Sequence, residues 1–143
     1  MMGVLHRYIE EQERYGQFSL ALQEVQNGNK LSHWMWFVFP QIKGLGRSYN
    51  AQKFAIQSTE EAMAYYSHPI LGERLKLVTQ AILAHSDKEI ISVLNAHIDV
   101  LKLKSCMTLF ESLTHDALFT QVLDVFYNGK KCEKTLRLLD FTG

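Results

Sequence analysis

Apolar residues recur along this chain at three- and four-residue spacings, and strict alternation is almost absent. Leu5, Tyr8, Ile9 and Gln12 open an i, i+3, i+4, i+7 pattern that Phe18, Leu22 and Val25 continue, which predicts an amphipathic helical stretch. Asn27-Gly28-Asn29 tolerates a left-handed C-cap and ends it. Ser32 is positioned to cap a short helix from His33 to Phe39, which Pro40 stops. Residues 41–47 carry Gly44 and Gly46 and read as a loop. Helical signals resume at Ser48, and Ser58-Thr59-Glu60-Glu61 forms a capping box before Ala62 to Tyr66. Pro69 suits the first turn of the next helix, whose inward face would be Leu71, Leu75, Val78 and Ile82. Ser86 to Glu89 reads as a second capping box leading into Ile90, Ile91, Val93 and Leu94. Leu101 to Phe110 marks another helix, and Thr114 caps the one holding Leu118 to Phe126. Asn128-Gly129 ends that helix, and a last one runs from Cys132 to about Leu139. The pattern predicts an all-α fold, a single compact bundle of about eight short helices, with residues 1–143 as one domain.

Composition narrows the function classes. Fifteen Lys+Arg balance fifteen Asp+Glu in 143 residues, and there is no long basic run, so a nucleic-acid partner is not expected. No apolar run reaches the roughly 18–20 residues that span a bilayer, and the polar start of the chain does not read as a signal peptide. Cys106 and Cys132 are too few for a disulfide framework, and the expected location is the cytoplasm. The six histidines form no i, i+4 pair and none lies at ligand spacing from a cysteine, so no metal and no cofactor is expected. Cys106, between Ser105 and Met107 on an apolar helix, reads as a buried structural thiol.

The chemistry-bearing stretches are three. His33-Trp34-Met35-Trp36-Phe37-Val38-Phe39-Pro40-Gln41 holds both tryptophans. It is either a helix buried on every side or one with two faces. In the second case Trp34, Phe37 and Val38 enter the core, while His33, Trp36 and Phe39 line a hollow where a flat ring can stack. Lys43-Gly44-Leu45-Gly46-Arg47-Ser48 is either a tight solvated turn or a loop whose N–H groups face an anion beside Lys43, Arg47 and Lys53. Its glycine spacing is neither a dinucleotide fingerprint nor a P-loop. Asp99, Lys102, Ser105 and Thr108 make a polar stripe on an apolar helix, either a solvent face or one wall of a cavity.

Taken together, His33 to Gln41, Gly44-Leu-Gly-Arg-Ser48, His68-Pro-Ile-Leu-Gly72 and Lys102 to Phe110 resemble the bacterial domain-of-unknown-function 1810 family, from about Tyr8 to Leu139. The resemblance implies a compact all-helical cytoplasmic protein and supplies no established reaction. Members sometimes carry the label calpastatin, but that inhibitor is disordered and polar, whereas this chain is 47% hydrophobic. Cys106 stands where the family leads one to expect a second serine. A shorter segment, Tyr49-Asn-Ala-Gln-Lys-Phe54 followed by Ser58-Thr-Glu-Glu-Ala62, is similar to one in helical N-glycosidases of riboflavin-pathway intermediates and ADP-ribose-type substrates. That similarity implies a base stacked near Trp36 and phosphates over Gly44, Gly46 and Arg47. Those enzymes place an acid just before the aromatic, where this chain has Gly46, Arg47 and Ser48. An oxocarbenium-like route would then need Asp99 or Glu61 from another helix.

Two functions compete. In one, a nucleotide- or ribosyl-type anion binds a hollow walled by His33, Trp36, Gln41, Gly44, Gly46, Arg47, Ser48, Lys102 and Ser105, with N-glycosidase or ADP-ribose-type hydrolysis as the first chemistry to consider. In the other, the chain is a structural or protein-interaction module and the aromatic motif is only core. The deciding observation is whether Trp36, Arg47 and Lys102 share one cleft.

Overall fold

The computed structural model describes residues 2–142, with side chains from 3 to 140. Helix α1 (Met2–Glu13) and α2 (Gln17–Gln26) are joined through a 3-10 turn, Arg14–Gly16. The apolar spacing runs uninterrupted through this point, yet the chain breaks, because Tyr15 (φ 55°) and Gly16 (φ 64°) both take left-handed backbone. Gly16 does so at little cost, whereas Tyr15 holds an unusual conformation with its ring in solvent.

The remaining helices are α3 (Met35–Val38), α4 (Tyr49–Lys53), α5 (Thr59–Ser67), α6 (Leu71–Leu83), α7 (Ile90–Leu94), α8 (His97–Thr114), α9 (Ala117–Tyr127) and α10 (Glu133–Thr142). The chain is all-α. Among the described residues the one β-type pairing is a parallel bridge between Ile42 and Ile56. No helix among them is long and apolar enough to cross a membrane. The longest, α8, lies centrally and packs against α3, α5, α7, α9 and α10. The anticipated inward face of α6 holds: Leu71, Leu75, Val78 and Ile82 are all buried.

Helix ends depart from the sequence reading in instructive ways. Ser32 caps nothing; its hydroxyl donates to Glu24 Oε2 at 2.6 Å, and α3 begins after Trp34. Ser58 does cap α5, accepting from the Glu61 N–H, but the Glu61 carboxylate accepts from the Gln57 N–H and from Arg7 rather than closing a box on Ser58. Residues 84–88 form turns, and Glu89 precedes α7 without a side-chain cap, so the second expected box is absent. Thr114 ends α8, its hydroxyl donating to the Phe110 carbonyl, and Asp116 caps α9 by accepting from the Leu118 N–H. His68 Nδ1 accepts from the N–H groups of Ile70 and Leu71, a ring-nitrogen cap at the start of α6.

Candidate functional site

A cavity of about 1040 Å³ opens between α8, the end of α3, the loop through residues 41–48 and the segment entering α10. That is ample for a dinucleotide-sized guest. Trp36, Gln41, Gly46, Arg47, Ser48, Lys102 and Ser105 all line it, so the three stretches singled out above converge. Trp36, Arg47 and Lys102 share this one cleft.

Several residues expected there lie elsewhere, Lys43 and Lys53 among them. His33 is exposed and precedes the helix rather than belonging to it, so its ring does not follow the Trp36 face. Gly44, with φ at 102°, turns the loop against α10, where an added Cβ would meet Leu138 at 3.1 Å. It shapes the loop without forming the wall. Phe39, the third residue assigned to the hollow's face, is fully buried core.

The two tryptophans divide as the two-face reading of the motif holds. Trp34 is 1% exposed, and its indole N–H donates to Glu24 Oε1 at 2.8 Å. Glu24 also accepts from the Leu31 and Ser32 N–H groups and from the Ser32 hydroxyl. Burial pushes this carboxyl's pKa upward, but those hydrogen bonds, the Ser32 hydroxyl foremost, outweigh it and hold it below the usual glutamate range. Trp36 is only partly buried, and Lys102 Nζ sits 3.6 Å from its ring centroid. Lys102 is steadied from behind by Asp99 Oδ1 at 3.4 Å, while Asp99 Oδ2 pairs with the buried Lys30 at 2.9 Å. One carboxylate thus faces two ammonium groups, which leaves a net positive charge beneath the wall.

Gly46 lets the loop close on Trp36. A Cβ there would meet that of Ala51 at 2.7 Å, with the Trp36 ring just beyond. Ser48 Oγ accepts from the Ala51 N–H and so caps α4, a helix too short to present much dipole, while its O–H can still donate. Gln41 ties the loop to residue 56, its carbonyl accepting from the Ile56 N–H at 2.8 Å. Its side chain is 9% exposed, and Nε2 is buried without a hydrogen-bond partner among the described residues. An unsatisfied buried donor costs about 1–3 kcal/mol, so this amide marks a place for an acceptor.

The fourth wall is the one that sequence reasoning missed. Lys130, Lys131, Cys132, Glu133 and Lys134 face the cavity, with Lys104, Ile98 and Leu101 on α8. Three lysines in five residues are a local basic cluster, a signal that whole-chain neutrality masked. The lining thus holds six cations, Arg47, Lys102, Lys104, Lys130, Lys131 and Lys134, against one acid, Glu133. Lys102 is paired with Asp99 and Lys131 with Glu111, whereas Arg47, Lys104, Lys130 and Lys134 have no ion pair among the described residues. Asp99 and Glu61, the acids considered for glycosidic chemistry, do not line the cavity. Glu61 is buried against Arg7 at 2.8 Å.

Cys132 sits immediately before α10, partly exposed. Ser105 Oγ donates to its Sγ at 3.4 Å, and its N–H donates to Thr108 Oγ1 at 2.9 Å. Burial raises the thiol's pKa, but hydrogen bonds to the sulfur, that of the Ser105 hydroxyl foremost, more than offset this, and it lies below the ordinary cysteine value. Cys106 is the opposite case, fully buried with its pKa raised by desolvation.

Fold and site together define an all-helical domain with an aromatic-walled cationic cavity. The family model described as "Protein of unknown function (DUF1810)" matches residues 3–139, and the chain belongs to that family. Among solved structures it is similar to a crystal structure of the conserved hypothetical protein Rv1873 from Mycobacterium tuberculosis. The two share 37% identity at a TM-score of 0.89, over 95% of this chain and 96% of that one. Nothing matches among curated proteins.

Proposed function

We propose that this protein binds a small nucleotide- or ribosyl-type anion in the cavity beneath Trp36. The observation that carries the reading is the lining's charge, six cations to one acid in a chain whose overall formal charge is zero. Such a concentration costs self-repulsion unless an anion relieves it. A planar base or nicotinamide-like group would take the place of the Lys102 ammonium over the partly buried Trp36 ring, and the Gln41 amide suits a carbonyl or ring-nitrogen acceptor. Arg47, with its planar fork, suits a phosphate. The reading places the protein in the cytoplasm, where nucleotides are abundant and the free thiols stay reduced.

Thermal-shift measurements against ADP-ribose, NAD and the uncharged nucleosides test this. A ligand at a hundred times its Kd stabilises the folded chain by about 2.7 kcal/mol, which is a rise of roughly 8 °C for a domain this size. The anionic compounds are expected to give such a rise and the nucleosides far less. Arg47→Ala should keep its melting temperature and lose the shift. No stabilisation by any anionic compound, with Arg47→Ala folding unchanged, overturns the reading.

A further inference from the structure

We propose that Cys132 is a nucleophilic thiolate of the cavity, placed to exchange with a low-molecular-weight disulfide that carries negative charge. Three independent features converge on it. The sulfur stands at the N-terminal end of α10, a helix of 10 residues, and accepts the Ser105 hydroxyl at 3.4 Å. Lys104 from α8 and Lys130, Lys131 and Lys134 from its own segment line the same cavity, with Glu133 as the lone acid there. Positive charge and helix-end N–H groups stabilise a thiolate and attract an anionic reagent. Gln41 in the same lining supplies a buried, unpartnered amide, which points to a guest in the cavity that Cys132 also lines.

The chemistry is simple exchange. The Cys132 thiolate attacks one sulfur of the disulfide, a new Sγ–S bond forms, and the old S–S bond breaks. The electron pair leaves on the departing sulfur as a thiolate, which carries away the negative charge that Cys132 brought. Cys132 is oxidised to a mixed disulfide, and the departing half is reduced to a free thiolate. The retained half, still anionic, occupies the cationic cavity. Cys106 cannot compete, being sealed in the core.

The inference uses the cavity's cations but not the binding of a nucleotide. The test compares Ellman's reagent, a dianionic disulfide, with the neutral 4,4′-dithiodipyridine on the native chain. The expected result is one equivalent of thiolate released rapidly, mapped by mass spectrometry to Cys132, with Cys106 reacting only on unfolding. At low salt the preference for the anionic reagent should exceed that of free glutathione by about tenfold or more, and should fall with added salt. Lys134→Gln should slow the anionic reagent severalfold more than the neutral one, so that the preference between them narrows. The pH–rate profile of wild type should reach its midpoint below the ordinary cysteine value, and Ser105→Ala should move it upward. A Cys132 that reacts no faster than glutathione with either reagent, or shows no preference between them, overturns the proposal. If such an inert chain still binds nucleotides, the proposed function survives alone; a reactive Cys132 in a chain that binds none upholds only this inference.

Discussion

At the scale of single residues the two tryptophans, separated only by Met35, have opposite jobs. Trp34 is buried and hydrogen-bonded to Glu24, so Trp34→Ala should cost about 3–5 kcal/mol in chemical denaturation. Trp36 lines the cavity under Lys102, so Trp36→Ala should cost markedly less while abolishing the ligand-induced thermal shift. Equal, severe losses for both would return the motif to core alone. Glu24 adds a pH dependence whose sign is fixed by its environment. Its folded pKa lies below its unfolded one, so the ionised form contributes stability that is present at neutral pH. That contribution fades as pH falls from the ordinary glutamate range through the lower folded value. The gap in melting temperature between wild type and Glu24→Gln should therefore be wide at pH 7 and narrow towards pH 3. A gap that stays constant would show that the carboxylate's charge is not what the four donors stabilise.

At the scale of elements, legibility followed periodicity. The buried face of α6 was readable because it repeats along one straight helix, whereas the tryptophan motif was only half readable, since α3 spans just Met35–Val38 and His33, Trp34 and Phe39 lie outside it. Side-chain partners distant in sequence were not. Ser32 and Glu61 look like local caps, yet Ser32 serves a carboxylate on α2 and Glu61 an arginine on α1. The break at Tyr15 was hidden for a related reason, since a short left-handed turn leaves the apolar spacing intact. Gly72 shows the strongest element-level constraint. A Cβ there would lie 2.0 Å from the Tyr66 carbonyl oxygen, so α6 can only meet the end of α5 through a glycine. Gly72→Ala should cost about 3 kcal/mol or more, because the obstacle is backbone and cannot swing aside. Gly3→Ala meets nothing within 4 Å and should be neutral or stabilising by up to about 1 kcal/mol. Paired denaturant titrations of the two variants check the contrast, and a mild Gly72→Ala would mean the α5–α6 junction is softer than its geometry.

At the scale of the whole molecule, zero net charge conceals a strong asymmetry. Six of the fifteen cations and one of the fifteen acids line the cavity, leaving nine cations against fourteen acids elsewhere. A summed charge erases this, and the one sequence window that hints at it, residues 130–134, shows half of it, because Arg47, Lys102 and Lys104 join those lysines only when the chain folds. On the proposed reading the cavity would attract anions while the rest of the molecule would repel them, a focused rather than a general attraction. Screening should act on it accordingly. With the Debye length shrinking from about 30 Å at 0.01 M salt to about 10 Å at 0.1 M, distant lysines stop contributing before those in contact with the guest. Affinity for ADP-ribose, followed by titration calorimetry, should fall by roughly tenfold over that range and then level off, because the contact cations remain in place. Lys130→Gln should flatten the steep part of the curve, whereas Arg47→Ala should lower the whole curve. A flat salt response in the wild-type chain would mean that shape and stacking on Trp36, not charge, select the guest.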